Sequence, residues 1–121
     1  MKFENTGIDN QVVEWSHLTE VMKDHGFILA GQWDYERVTY DYKFEVLHET
    51  YYLRVQGYAI EGEIGSRHAV IKLLTPLLGK HYYPHGVEYG EGENFPQAVT
   101  QKSEQLLKKV SETLQALSQT K

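Results

Sequence analysis

Val38-Thr39-Tyr40-Asp41-Tyr42-Lys43-Phe44-Glu45-Val46 decides the fold. Apolar or aromatic side chains stand at every second position, and Thr39, Asp41, Lys43 and Glu45 fill the places between. A period of two sends alternate side chains to opposite faces, so the stretch reads as a half-buried strand with one wet face. Tyr51 to Ile60 reads as a second strand after Leu47-His48-Glu49-Thr50. Taking those four residues as the loop sets Val46 opposite Tyr51, Phe44 opposite Leu53, Tyr42 opposite Val55 and Tyr40 opposite Gly57. Apolar then meets apolar or small throughout, and a slip of one residue would turn every side chain to the wrong face. The other face pairs Glu45 with Tyr52, Lys43 with Arg54 and Asp41 with Gln56. Lys43 against Arg54 sets like charges opposite each other, which costs stability.

Outward from this hairpin, the chain divides by composition. All nine tyrosines lie between Tyr35 and Tyr89, all ten glycines are used by Gly92, and no aromatic residue follows Phe95. The middle therefore reads as strands and turns, the tail as helix. Residues 1–14 look extended, with a turn near Gly7 to Asn10. Ser16 offers an N-cap for a short helix with Leu18, Val21, Met22 and His25 at helical spacing and Gly26 at its end. Phe27 to Trp33 reads as a strand, and Asp34 to Glu36 as a turn. Glu61 to Ser66 is a turn with two glycines, and His68 to Leu74 a strand stopped by Thr75-Pro76. Leu77-Leu78-Gly79-Lys80 reads as a turn, His81 to Pro84 as a short edge strand, and Gly86 to Glu93 as a loop. Asn94, Pro96 and Gln97 open the last helix, whose stripe is Val99, Leu106, Leu107, Val110, Leu114 and Leu117.

The expected fold is α+β. A curved antiparallel sheet of five or six strands carries one short helix and one long C-terminal helix on a single face, in the order β-α-β4/5-α. The analogy is to helix-grip and TBP-like arrangements, and analogy of fold licenses no function. With 121 residues the chain reads as one domain over 1–121.

Composition excludes several classes. No apolar run approaches the roughly 20 residues that span a bilayer, and the opening residues lack the pattern of a signal peptide. There is no cysteine, hence no disulfide, thiolate zinc site or cysteine nucleophile. Together these make the cytosol the expected compartment, with no membrane partner. The net charge of −5 argues against a nucleic-acid partner, and the +2 carried by residues 94–121 is too slight to make a basic face.

Motifs for chemistry are sparse. His81 and His85 invite a divalent-metal reading with Glu88, but in an extended segment they would stand ~13 Å apart, too far to share an ion. Ordinary surface histidines are the favoured reading. Glu61 and Glu63 flank Gly62 in a solvated turn, where nothing raises a carboxyl pKa for acid–base work. Glu88 to Glu93 lacks the ligand order of a calcium loop. Phosphate-cradling and Gly-x-Ser-x-Gly motifs are absent, and no cofactor is implied. The surface is more informative. Tyr52, Arg54, Tyr58 and Ile60 share the face turned away from the helices, and Tyr, Arg and an aliphatic side chain together suit a protein interface.

Met1-Lys2-Phe3-Glu4-Asn5-Thr6-Gly7 and Ala30-Gly31-Gln32-Trp33-Asp34-Tyr35-Glu36-Arg37-Val38-Thr39-Tyr40-Asp41 resemble the YugN-like family of small bacterial proteins, over the whole chain. The resemblance implies a bacterial cytosolic single domain. It brings no activity, cofactor or catalytic residue with it.

The reading that results is a non-catalytic interaction module, homodimeric, using the Tyr52, Arg54, Tyr58 and Ile60 face. Two alternatives stand beside it. One is a small-ligand or enzyme pocket between sheet and C-terminal helix, near Tyr40, Tyr42, His81 and His85; the other is the metal site at His81, His85 and Glu88.

Overall fold

A computed structural model of the chain describes residues 1–30, 34–66, 68–82, 86–89 and 94–119. The central hairpin forms, joining β3 (Arg37–Val46) to β4 (Glu49–Glu61). Its loop is two residues long, Leu47 and His48, and the expected loop of four is corrected accordingly. Val46 lies opposite Glu49, Phe44 opposite Tyr51, Tyr42 opposite Leu53, Tyr40 opposite Val55 and Val38 opposite Gly57. The register is thus two residues from the expected one. A shift of two leaves every side chain on its own face, so apolar matching cannot detect it. The polar face can. Asp41 now stands opposite Arg54, and the like-charge contact between Lys43 and Arg54 disappears.

Leu47 and His48 take φ values of 50° and 69°. A two-residue turn that follows the sheet's twist requires this left-handed pair, which Asn-Gly adopts far more readily than Leu-His. Replacing both, Leu47→Asn with His48→Gly, is expected to raise stability by about 1–2 kcal/mol in urea unfolding. A loss of stability would mean that the turn is built otherwise.

Seven strands make one antiparallel sheet among the described residues, where five or six were expected. The core path is β1 (Val12–Glu14), β5 (Val70–Leu73), β4, β3 and β2 (Ile28–Ala30). β4 is long enough to serve two partners on one edge: its C-terminal half pairs β5, and its N-terminal half pairs β6 (Leu77–His81). β7 (Val87–Glu88) pairs the far side of β6. Residues 77–80, expected as a turn, are therefore strand, and 87–88 are strand within an expected loop. The expected strands over Phe27–Trp33 and His81–Pro84 are described only in part. Gly31, Gln32, Trp33, Tyr83 and Pro84 lie outside the described residues.

Both helices sit over the face that carries Val38, Tyr40, Leu53 and Val55. Helix α1 (Trp15–Asp24) begins one residue before the expected cap at Ser16; its N-cap is Glu14, without a side-chain capping bond. Gly26 follows it at φ 88°, the conformation glycine supplies at a helix end. Helix α2 (Gln97–Gln119) buries Val99, Ser103, Leu106, Leu107, Val110, Ser111 and Leu114. Leu117, expected in that stripe, is exposed, so the packed face ends one turn earlier. The apolar sides of both helices and of the sheet form one core cluster.

Tyr40 is the largest side chain fully enclosed there, its hydroxyl 2.9 Å from the Thr19 hydroxyl and its ring 6.4 Å from that of Trp15. Burial pushes its phenol up from 10 to about 12, against the pull of the Thr19 hydrogen bond. The folded state thus favours the neutral phenol. The stability this represents is whole below pH 10 and is lost as pH rises towards 12. Alkaline unfolding should begin in that interval, and Tyr40→Phe should delay it. A midpoint unchanged by Tyr40→Phe would separate alkaline unfolding from this residue.

Candidate functional site

The helices cover one side of the sheet and leave the other open. Alternation along β3 and β4 sends Arg37, Thr39, Asp41, Lys43 and Glu45 to the open side, with Thr50, Tyr52, Arg54, Gln56 and Tyr58. Of the four residues expected to form an interaction surface, Tyr52, Arg54 and Tyr58 face that way, and Ile60 lies in a β-bulge. They do not form one continuous patch. The open side has two halves of different character.

In the half nearer the β3–β4 turn, Arg54 is locked. Its Nε donates to Asp41 Oδ1 and its Nη2 to Asp41 Oδ2, both at 2.9 Å, a bidentate pair across adjacent strands. Asp41 is buried. The hydrogen bond to Asp41 raises the Arg54 pKa further, against the desolvation that lowers it. On its other side the guanidinium lies 5.0 Å from the Tyr89 ring centroid. Tyr89 reaches this place over Gly79, where a Cβ would stand 2.6 Å from the ring. Burial pushes the Tyr89 phenol up to about 12, and among the described residues its hydroxyl has no hydrogen-bond partner. Tyr52 meets the His81 ring edge-on at 6.4 Å. Asp41 and Arg54 satisfy each other, so Arg54 gives shape to the surface more than free bonding capacity.

The other half is apolar and uncovered. Tyr58 stands in a row with Arg37, Lys72 and Val12 across four strands. A β-bulge between Ala59 and Glu61 presents Ile60 beside it. Leu74 follows β5, its amide donating to the Gln56 carbonyl. Ile28 on β2 stands opposite Asp41. Val12, Ile28, Tyr58, Ile60 and Leu74 leave between 36% and 66% of their area exposed. These are the largest apolar side chains exposed on the open side. Tyr58 and Ile60 were legible in the sequence. Val12, Ile28 and Leu74 were not, because each joins the face only through strand pairing.

The alternative sites fare differently. Tyr40 is enclosed, and Tyr42 packs against Phe27 and Phe44 with ring centroids 5.6 and 4.9 Å apart. These rings fill the space that a ligand beneath the helices would need. His81 stands opposite Val87, whereas Glu88 stands opposite Lys80, so His81 and Glu88 point to opposite faces. His85 lies outside the described residues. Among the described residues no three His, Asp or Glu side chains gather as a metal site. Open clefts do occur at both ends of the hairpin. One of about 590 Å³ is lined by Tyr35, Glu36, Arg37, Tyr58, Ala59, Gly62 and Glu63. Another of about 600 Å³ lies by the turn, at His48, Glu49, Thr50, Lys80, His81 and Tyr82.

Comparison with known proteins agrees with this architecture. The YugN-like family matches residues 4–115, and the chain belongs to that family. It is 53% identical over 117 residues to the uncharacterised protein YlbA of Bacillus subtilis (strain 168), covering 97% of this chain and 98% of that one. The uncharacterised protein YugN of the same organism is 29% identical over 100 residues, 82% of this chain and 75% of its own. The crystal structure of an uncharacterised conserved protein YugN from Geobacillus kaustophilus HTA426 superimposes with a TM-score of 0.87 at 55% identity, covering 98% of both chains.

Proposed function

We propose that the chain is a non-catalytic interaction module, a single domain that pairs with a second copy of itself through the open face of its sheet and acts in the cytosol. The observation that carries this is the exposure of Val12, Tyr58 and Leu74 on the face opposite both helices, with Ile60 exposed at the bulge beside them. Shape supports a second copy as the occupant, since the open face is the surface of a sheet. Sheets also stack face to face readily, about 10 Å apart. The lack of cysteine supports the cytosol as the compartment. No catalytic role is assigned, since Asp41 and Arg54 are spent on each other in a bidentate pair.

Sedimentation velocity is the test. The wild-type chain should sediment as a dimer at tens of micromolar. Tyr58→Asp with Ile60→Asp should give monomer with an unchanged circular dichroism spectrum, because both side chains are exposed. A wild-type monomer across that range would remove the reading.

A further inference from the structure

The turn after β4 folds back onto the start of β3. Ala59 donates its amide to the Glu36 carbonyl and Ile64 donates to the Tyr35 carbonyl, both at 2.8 Å. Ile64 is buried, so a core side chain holds the turn as well as the backbone does. Gly62 takes φ 70°, and a Cβ there would stand 3.2 Å from Ala69 Cα, so the turn lies close on the chain beside it. These ties fix the walls of the cleft of about 590 Å³, a volume within the ~300–1,000 Å³ of small-molecule sites.

The lining of that cleft has a definite chemistry. Arg37 supplies one positive charge and Glu36 and Glu63 two negative ones, while Tyr35 and Tyr58, 57% and 36% exposed, supply aromatic rings. The three charged side chains are exposed, and none of the three ion pairs among the described residues uses them. Glu36 and Arg37 bond to Asp34 through their backbone amides, not their side chains. Opposite charges that share a cleft without closing on each other keep their bonding capacity for a group placed between them. A simple anion would meet two carboxylates there, and a simple cation would meet the guanidinium. The full complement is a small molecule with one carboxylate and two cationic groups.

We propose that this cleft binds a basic amino acid, with arginine and lysine as the type. Arg37 donates its paired N–H groups to the α-carboxylate. The α-ammonium and the side-chain cation lie against Glu36 and Glu63, and the tyrosine rings take the aliphatic stem and the cationic head. The site goes beyond the self-association reading, meets that face at Tyr58, and stands or falls separately from it.

Isothermal titration of the wild-type chain with L-arginine should give a Kd at or below about 1 mM. Agmatine, which lacks the carboxylate, and L-citrulline, which lacks the side-chain charge, should each bind about tenfold more weakly, the loss of one charge-assisted contact. Arg37→Gln should weaken L-arginine by the same factor and leave agmatine unchanged, whereas Glu63→Gln should weaken both. Both positions are exposed, so circular dichroism should stay native. Equal weakening of L-arginine and agmatine by Arg37→Gln would overturn the carboxylate contact and the amino acid with it. No binding of L-arginine or L-lysine at about 10 mM, or L-glutamate binding as tightly as L-arginine, would overturn the site itself. Sedimentation decides the other reading independently: a monomer that binds L-arginine keeps this site, and a dimer that binds none keeps only self-association.

Discussion

Asp41→Ala is expected to destabilise the fold by about 2–4 kcal/mol, because it strands the half-buried Arg54 guanidinium without its bidentate partner. The Arg54 side chain retains 30% exposure, so water recovers part of the loss and the upper end of the buried-pair range is not reached. Removing the charge from both sides should behave differently. Asp41→Leu with Arg54→Met keeps volume and leaves no lone charge, and should return stability to within about 1 kcal/mol of the wild type. The non-additivity between single and double variants is the diagnostic quantity, since only residues in contact show it. Urea denaturation of the two single variants and the double variant measures it. A cost below ~1 kcal/mol for Asp41→Ala would show that the pair is a surface contact.

The same pair shows what the sequence could and could not disclose. Period-two alternation over 38–46 and 51–60 identifies both strands and which face each side chain takes, since these depend on local pattern alone. Register depends on the turn. Leu47-His48 carries no Asn-Gly signal, so a two-residue turn is illegible there and a four-residue loop fits the apolar face equally well. Only the polar face distinguishes the two, through Lys43 against Arg54 in one and Asp41 against Arg54 in the other. The conflict between like charges was the mark of the wrong register. Residues 77–80 were read as a turn because Gly79 weakens a strand locally. In the sheet that glycine is the place where the Tyr89 ring lies down, a contact between distant residues that no local pattern reports.

Legibility of the surface follows the same division. The outward direction of Tyr52, Arg54 and Tyr58 came from alternation and is found in the fold, whereas at Ile60 a β-bulge interrupts the alternation. Their separation into a self-satisfied half and an exposed half depended on Asp41, Tyr89 and the strands beside β4. Leu47 passed unremarked as a loop residue. Its positive φ and its exposure are both set by the turn that the sequence did not reveal.

Gly57→Ala is expected to cost about 2–3 kcal/mol, although alanine is ordinarily the better strand residue. Gly57 lies between Val38 on β3 and Leu73 on β5, with its face turned to the core. An added Cβ there would stand 2.6 Å from Ile71 Cγ2, 3.0 Å from the Lys72 carbonyl oxygen and 3.1 Å from Leu73 Cδ2. The methyl of Ile71 can rotate aside, but the carbonyl belongs to the backbone of β5 and cannot move without the strand. Since Tyr58 and Lys72 are neighbours in that ladder, shifting β5 also disturbs the row on the open face. The variant should therefore lose stability and dimer affinity together, whereas Tyr58→Asp with Ile60→Asp loses affinity alone. Gly86→Ala is the control, because a Cβ at Gly86 meets nothing within 4 Å and should change stability by less than about 0.5 kcal/mol. If Gly57→Ala proved as silent as Gly86→Ala, β5 would not lie as close to β4 as the ladder requires.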